Sequence, residues 1–398
     1  MSGTGGYRLK TQSGNAAMRR PMTVLQVLPA LDSGGVERGT VDVDKALSAA
    51  GHRALVASRG GRLATGLGQR HITLPLDSKN PYTIWRNANR LAAVIEEHTV
   101  DVVHARSRAP AWSAWLAARR TGRAFVTTFH AAYSAASPLK LRYNAVMGYG
   151  ARVIAISRFI QRHITSTYGV PAERIALIPR GIDLVRFTPD GVHPSRVVAL
   201  AQRWQLDESR PVLLLPGRLS RIKGHMMLIA ALDLLRDVPF QCLVVGEAGA
   251  NDGYQRELEA AIDAGNHQGR LRLVGHCEDM PAALRLADAV LNLSQVPEGF
   301  GRVMAEALAM ERPLIATSLG AAPEIVADDW GWLIPHDEAL ALAHAIRATL
   351  SQSTEDRARR AALGRAHVAK HYDLKGMTQR TLELYEQADL LTRAKQQR

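Results

Sequence analysis

The chain has 398 residues, 46% of them hydrophobic, two cysteines and a formal net charge of +13. That length suits two domains of ordinary size, and no apolar run reaches the roughly eighteen residues of a membrane-spanning helix. Cys242 and Cys277 lie in or beside apolar strand-like runs, which fits buried free thiols in a reducing cytoplasm rather than a disulfide framework or a zinc site.

Residues 1–21 are Gly, Ser, Thr, Arg and Lys without an apolar stretch, and read as a disordered extension rather than a signal peptide. A predicted strand, Val24–Leu28, then leads through a loop ending in Gly34-Gly35 into a helix with apolar positions Val36, Thr40, Val43 and Leu47. Asp42 and Asp44 sit two apart on that helix, where side chains face different ways, so the pair reads as a solvated face and not a metal site. Short apolar runs follow at Ala54–Ala57, Val100–Val103, Phe125–Phe129 and Val153–Ile156. Helical patterns at Thr83–His98, Ala109–Ala118 and Arg158–Tyr168 separate most of them. This alternation predicts βαβ units and a parallel sheet over residues 22–190.

Two histidines end predicted strands of this half, His104 and His130. A histidine at a strand's carboxyl end can donate to a substrate hydroxyl or act as a base. From Val102 to Ala172 there is no Asp or Glu but ten Lys and Arg, among them Arg106, Arg108, Arg119 and Arg120. Such an asymmetry implies an anionic partner: a membrane surface, a phosphorylated acceptor or a nucleic acid.

Gly181 to about Glu208, with Pro189 and Pro194, reads as the linker. The strand–helix pattern then restarts over 191–370, with strands at Arg210–Leu215, Gln241–Val245, Leu271–Val274, Ala289–Leu293, Pro313–Ala316 and Trp332–Ile334. Residues 371–398 carry a last amphipathic helix, expected to pack back across the first domain. The predicted class is α/β, two doubly wound domains.

Two loops of the second half carry the chemistry. Gly217-Arg218-Leu-Ser-Arg221-Ile-Lys223-Gly224 follows a strand and precedes a helix. The Arg218 fork and the Lys223 point charge suit a diphosphate and the charge it gains on leaving. Pro297-Glu298-Gly299-Phe300-Gly301 follows another strand, and Glu306 lies about two turns into the next helix. Ligands of open α/β sheets bind at that carboxyl edge, glycines admit close backbone approach, and a helix start favours an anion. Neither a Walker loop nor a Gly-x-Gly-x-x-Gly dinucleotide turn is present.

Gly34-Gly35-Val-Glu-Arg, Thr128-Phe129-His130, Pro179-Arg180-Gly181-Ile-Asp183, Gly217-Arg218…Lys223-Gly224 and the Glu298…Glu306 pair together resemble retaining glycosyltransferases of family 4. The resemblance covers roughly residues 22–370. It implies the GT-B fold, two Rossmann-like domains around an interdomain cleft. It further implies that Arg218 and Lys223 bind the donor diphosphate, Glu298 the hydroxyls of the donor sugar and Glu306 the ribose. Backbone amides of Phe300 and Gly301 would approach the sugar or phosphate, Gly35 would close over the phosphate, and His130 would touch the sugar near the reacting centre. No metal or other cofactor is implied. Ala131-Ala132 stands where a glycine is common in the family, which bears on the acceptor side, as do His104, Arg106 and Arg108.

The expected activity is transfer of a sugar from a UDP- or GDP-linked donor to a lipid-linked or lipopolysaccharide-core acceptor, with retention. A cytoplasmic location at the inner face of the plasma membrane, held by contact with anionic lipid, is expected, and no nucleic-acid partner. Two alternatives differ in class: a nucleotide-sugar epimerase of the same fold, and a non-catalytic basic protein that binds nucleic acid or saccharide. Against nucleic acid stands an aromatic content of only 5%.

Overall fold

The computed structural model describes residues 20–32, 34–248 and 253–398. The proposed disordered extension therefore lies, apart from Arg20 and Pro21, outside the described residues. Among the described residues two parallel sheets form, each flanked by helices. The first has the order β3-β2-β1-β4-β5-β6-β7, from β1 (Thr23–Val27), β2 (Arg53–Ser58), β3 (His71–Thr73), β4 (Val102–Ala105), β5 (Ala124–Phe129), β6 (Arg152–Ala155) and β7 (Ile175–Leu177). The second has the order β10-β9-β8-β11-β12-β13, from β8 (Val212–Pro216), β9 (Gln241–Val245), β10 (Leu271–Gly275), β11 (Ala289–Asn292), β12 (Leu314–Thr317) and β13 (Trp332–Ile334).

The central strands are buried on both faces, which is why they read as continuous apolar runs and not as alternation. Strand order reverses between β1 and β4 in one sheet and between β8 and β11 in the other. Each reversal opens a crevice at the carboxyl ends of its strands, the binding edge of doubly wound sheets. The two folded halves are Rossmann-like, and together they make the GT-B architecture.

Three sequence expectations need correction. Residues 181–208 are more than a linker: a helix, Pro194–Arg203, sits inside them. Pro194 occupies its first turn, where the missing N–H costs nothing, and His193 caps it by accepting from the Ser195 amide. Leu200 and the following Trp204 are buried, and Arg196 forks onto Asp279. The Asp42/Asp44 face is not simply solvated, since Asp44 is fully buried and meets Arg70 at 3.3 Å. Glu306 lies only one turn into its helix, because that helix spans Arg302–Ala309.

The last helix, Leu374–Gln396, packs on the first sheet, not the second. Met377, Leu384, Tyr385 and Ala388 join Val24, Val102 and Val126 in one core cluster. Burial of each large apolar side chain is worth about 1.5–3 kcal/mol, so this strap ties the chain's end firmly to its first domain. Cys242 and Cys277 are buried and unbridged.

Candidate active site

The second sheet supplies two adjoining loops at its strand reversal. After β8 the chain passes Gly217 and Arg218 into a single tight turn, Arg221–Lys223. Arg221 is drawn outward by Glu257, its Nη1 donating at 2.6 Å. Lys223 points the other way, and its ammonium donates to the Glu298 carboxylate. After β11, Ser294 also donates to that carboxylate, while Thr317 donates to the Ser294 carbonyl at 2.7 Å. Sequence reasoning gave the lysine to phosphate and the glutamate to sugar; in the structure the two groups meet each other.

Arg218 is exposed, and no protein partner meets its guanidinium among the described residues. Gly301, the residue before the Arg302–Ala309 helix, holds φ +79°, a conformation that L side chains rarely adopt. Among the described residues no side chain caps that helix; the Met304 amide donates to the Gly301 carbonyl at 3.1 Å, which leaves the Arg302 and Val303 amides to an anion. Phe300 turns its ring into the core against Tyr372, with centroids 5.2 Å apart, leaving its backbone to line the cleft. Glu306 is largely buried, and Arg302 donates to it at 3.2 Å.

The first sheet faces these loops with His130, at the end of β5. Arg180 donates to its Nδ1 at 2.9 Å. Burial, aided by neighbouring Arg106 and Arg302, pushes the Arg180 pKa down to about 9, so at neutral pH it remains a cation that can only donate. Nδ1 must then accept, and the ring proton resides on Nε2. Burial, with Arg180 next, holds the His130 pKa well below the ordinary histidine range, so the ring is neutral. Its Nε2 is buried and has no partner among the described residues. His130 is therefore presented as a fixed N–H donor, and the general-base alternative is not supported by this geometry. The same Arg180 donates through its other terminal nitrogen to the Gly35 carbonyl at 2.5 Å, fixing the first residue of the Gly35–Ala49 helix.

The two halves touch across the cleft. A Cβ on Gly299 would lie 2.6 Å from the His130 carbonyl oxygen, so the glutamate loop and the histidine approach backbone to backbone. A Cβ on Gly35 would come 3.4 Å from Cδ of Arg302. Beside the cleft, Glu324 accepts from the amides of Arg158 at 2.8 Å and Phe159 at 2.6 Å, capping a helix of the first domain from the second.

The acceptor-side expectations fare unevenly. His104 is 0% exposed, and its nitrogens lie 2.7 Å from Tyr385 Oη and 2.7 Å from Thr128 Oγ1. It binds the last helix to the sheet and cannot meet an acceptor, because both nitrogens are used inside the core. Arg106 is also buried, donating to Gln26 at 2.8 Å. Arg108 is exposed and lies 4.5 Å over the Tyr133 ring, so only it remains accessible to a ligand. Sequence reasoning missed the roles of Arg180, Ser294, Arg302 and Glu324. Arg180 lay within a recognised motif and Arg302 stands four residues before Glu306, a spacing that pairs side chains on a helix, while Ser294 and Glu324 gave no local signal. No cluster of metal-ligating side chains occurs among the described residues, and no helix among them is long and apolar enough to cross a membrane.

The family model described as Glycosyltransferase Family 4 matches residues 33–186, and that described as Glycosyl transferases group 1 matches residues 210–352. The structure is similar to that of a glycosyltransferase from Rickettsia africae, at 32% identity and TM-score 0.87, over 93% of this chain and 99% of that one. Anabaena HepE in complex with UDP is similar at 25% identity and TM-score 0.81, over 92% of this chain and 100% of that one. D-inositol 3-phosphate glycosyltransferase of Xylanimonas cellulosilytica is 29% identical over 315 residues, 75% of each chain.

Proposed function

Since this chain belongs to glycosyltransferase family 4, we propose that it moves a sugar from a UDP- or GDP-linked donor to a lipid-linked or lipopolysaccharide-core acceptor, with retention of anomeric configuration. The observation that carries the donor side is the Lys223–Glu298 pair beside the exposed Arg218, on a loop whose Gly299 meets the His130 backbone. UDP bound to the Anabaena relative is consistent with such a donor.

In this reading the diphosphate enters between Arg218 and the open helix start after Gly301. It draws Lys223 from Glu298, because a diphosphate carries more charge than one carboxylate. Glu298 is then free to accept from two neighbouring sugar hydroxyls. The His130 N–H donates to the sugar beside the reacting carbon, and Glu306 accepts from the ribose. When the glycosidic bond to the diphosphate breaks, Arg218 and Lys223 stabilise the departing charge with no reorganisation. Protein groups thus supply the binding and the leaving-group stabilisation, and no metal is assigned a part.

The acid-free stretch from Val102 to Ala172 would give the first domain its acceptor and membrane face, with a cytoplasmic location at the inner membrane. Basic groups near anionic lipid contribute about 1 kcal/mol each, so several suffice for reversible contact. The test is a panel of nucleotide sugars scored by nucleotide release, then NMR of the product's anomeric centre. Release only with an acceptor and a retained configuration support the reading. Donor consumption without acceptor would favour epimerisation, and an inverted product would refute retention.

A further inference from the structure

The amino ends of β5, β6 and β7 open into a groove of about 670 Å³. We propose that this groove is a second ligand site that recognises a phosphate ester borne on a partly apolar body. It lies one strand length from His130, about 20 Å for the six residues of β5, at the opposite edge of the sheet from the cleft. It deepens the membrane-face reading above, since Arg119, Arg123 and Arg152 belong to that basic stretch, and it includes no residue of the donor cleft.

Five cations line the groove, Arg119, Arg123, Arg152, Arg174 and Lys395, against one carboxylate, Glu173. Nearby cations outside it have partners: Arg393 meets Asp389 and Asp101, and Arg120 donates to Asn89. Arg119 and Lys395 end two helices, where the dipole favours cations, and that accounts for their presence in part. It does not account for Arg123, Arg152 and Arg174, which stand at strand starts.

Two of these three are anchored by backbone. Arg174 donates to the Gly148 carbonyl at 2.7 Å, and Arg152 donates to the carbonyl of Glu173. The Nε–H groups of Arg123 and Arg152 are buried with no acceptor among the described residues. Arg123 and Lys395 have no side-chain partner among the described residues. One wall is apolar: Trp115 and Tyr149 lie 5.2 Å apart, Tyr149 is 44% exposed, and Leu391 stands beside them. Guanidinium forks next to an aromatic wall match a phosphate oxygen pair and the carbon body attached to it. A phospholipid head group and a soluble sugar phosphate share that chemistry.

The test uses the full chain, the double variant Arg123→Gln/Lys395→Gln, and a control, Arg256→Gln/Arg380→Gln, that removes two exposed charges elsewhere. Binding is measured by flotation with phosphatidylcholine vesicles with and without phosphatidylglycerol, and by calorimetry with glycerol 3-phosphate. The groove variant should bind roughly ten- to thirty-fold more weakly than wild type, with the control near wild type. Titration with the nucleotide-sugar donor should give the wild-type dissociation constant in the groove variant, which separates this site from the cleft. Binding to vesicles alone identifies a lipid head group; binding of glycerol 3-phosphate as well identifies the phosphate ester itself. Equal weakening by both double variants, or no wild-type binding to either probe, would overturn the proposal.

Discussion

Arg180 donates to Nδ1 of His130, and this one hydrogen bond decides what His130 can do. With Nδ1 occupied, the ring proton sits on Nε2, which is buried and has no partner among the described residues. Arg180→Gln removes a cation that helps to hold His130 neutral, after burial, the larger cause. The His130 pKa then rises, and its protonation enters the working range as pH falls. Wild type should keep its rate through mildly acidic pH, whereas Arg180→Gln should gain a new acidic limb and lose about one to two decades of kcat, from a lost charged hydrogen bond of about 1.5–3 kcal/mol. Arg180→Lys cannot span Gly35 and His130 together and should recover little of the rate. A parallel pH profile in Arg180→Gln would remove Arg180 from this role.

The Lys223–Glu298 pair predicts coupled losses. Glu298→Gln should lower kcat by about one to two decades, and Lys223→Ala should raise the donor dissociation constant about tenfold. Each single change also leaves the other group without its partner, so the double variant should lose less than the sum of the two. Donor titration and steady-state rates on all four proteins measure this directly. Strict additivity would mean that the pair does not exchange partners on donor binding.

The placing of Arg218, Lys223 and Glu298 at one sheet edge was legible in sequence, because each closely follows a buried strand and strand ends of a doubly wound sheet converge on one edge. His104 followed the same rule and was misread. Its partner Tyr385 lies 281 residues away on the last helix, and nothing local reveals that cover. Glu324 capping the Arg158 helix was hidden for the same reason, a contact across 166 residues between domains. The edge strands β3 and β7 are three residues each, too short for any periodicity to register. Pro189 and Pro194 make 181–208 read as a linker, although Pro194 is where a helix begins.

His104→Leu should separate structure from catalysis. It leaves the hydroxyls of Tyr385 and Thr128 without their partner inside the core. Each orphaned group costs about 1–3 kcal/mol, so denaturant unfolding should show a marked loss of stability. The KM for acceptor, measured on the folded protein, should stay at the wild-type value. A raised acceptor KM with unchanged stability would return His104 to the acceptor site.

Stability should fall in mild acid through buried neutral histidines. His225 is fully buried, and burial pushes its pKa down to about 4. In the unfolded chain it titrates near 6.5, so between those values the unfolded state binds the extra proton. The contribution is complete above about pH 6.5 and lost progressively toward pH 4, about 3 kcal/mol over the window. His104 and His130, shifted in the same direction, add to it. Urea unfolding at pH 7.5 and pH 5 should show the drop, and His225→Phe should shrink it. An unchanged difference in that variant would place the acid sensitivity elsewhere.

Gly299 offers the sharpest test of closure between the domains. A Cβ there would sit 2.6 Å from the His130 carbonyl oxygen and 3.4 Å from the Ala131 Cα, and backbone atoms cannot rotate away. The clash exists only when the two halves meet, so Gly299→Ala can escape it by staying open. Melting temperature should therefore change little, while kcat/KM falls by at least about tenfold, because His130 no longer reaches the sugar held by Glu298. Small-angle scattering with donor bound should give a larger radius of gyration for the variant than for wild type. Wild-type kcat/KM in Gly299→Ala would show that this backbone approach is not part of the active state.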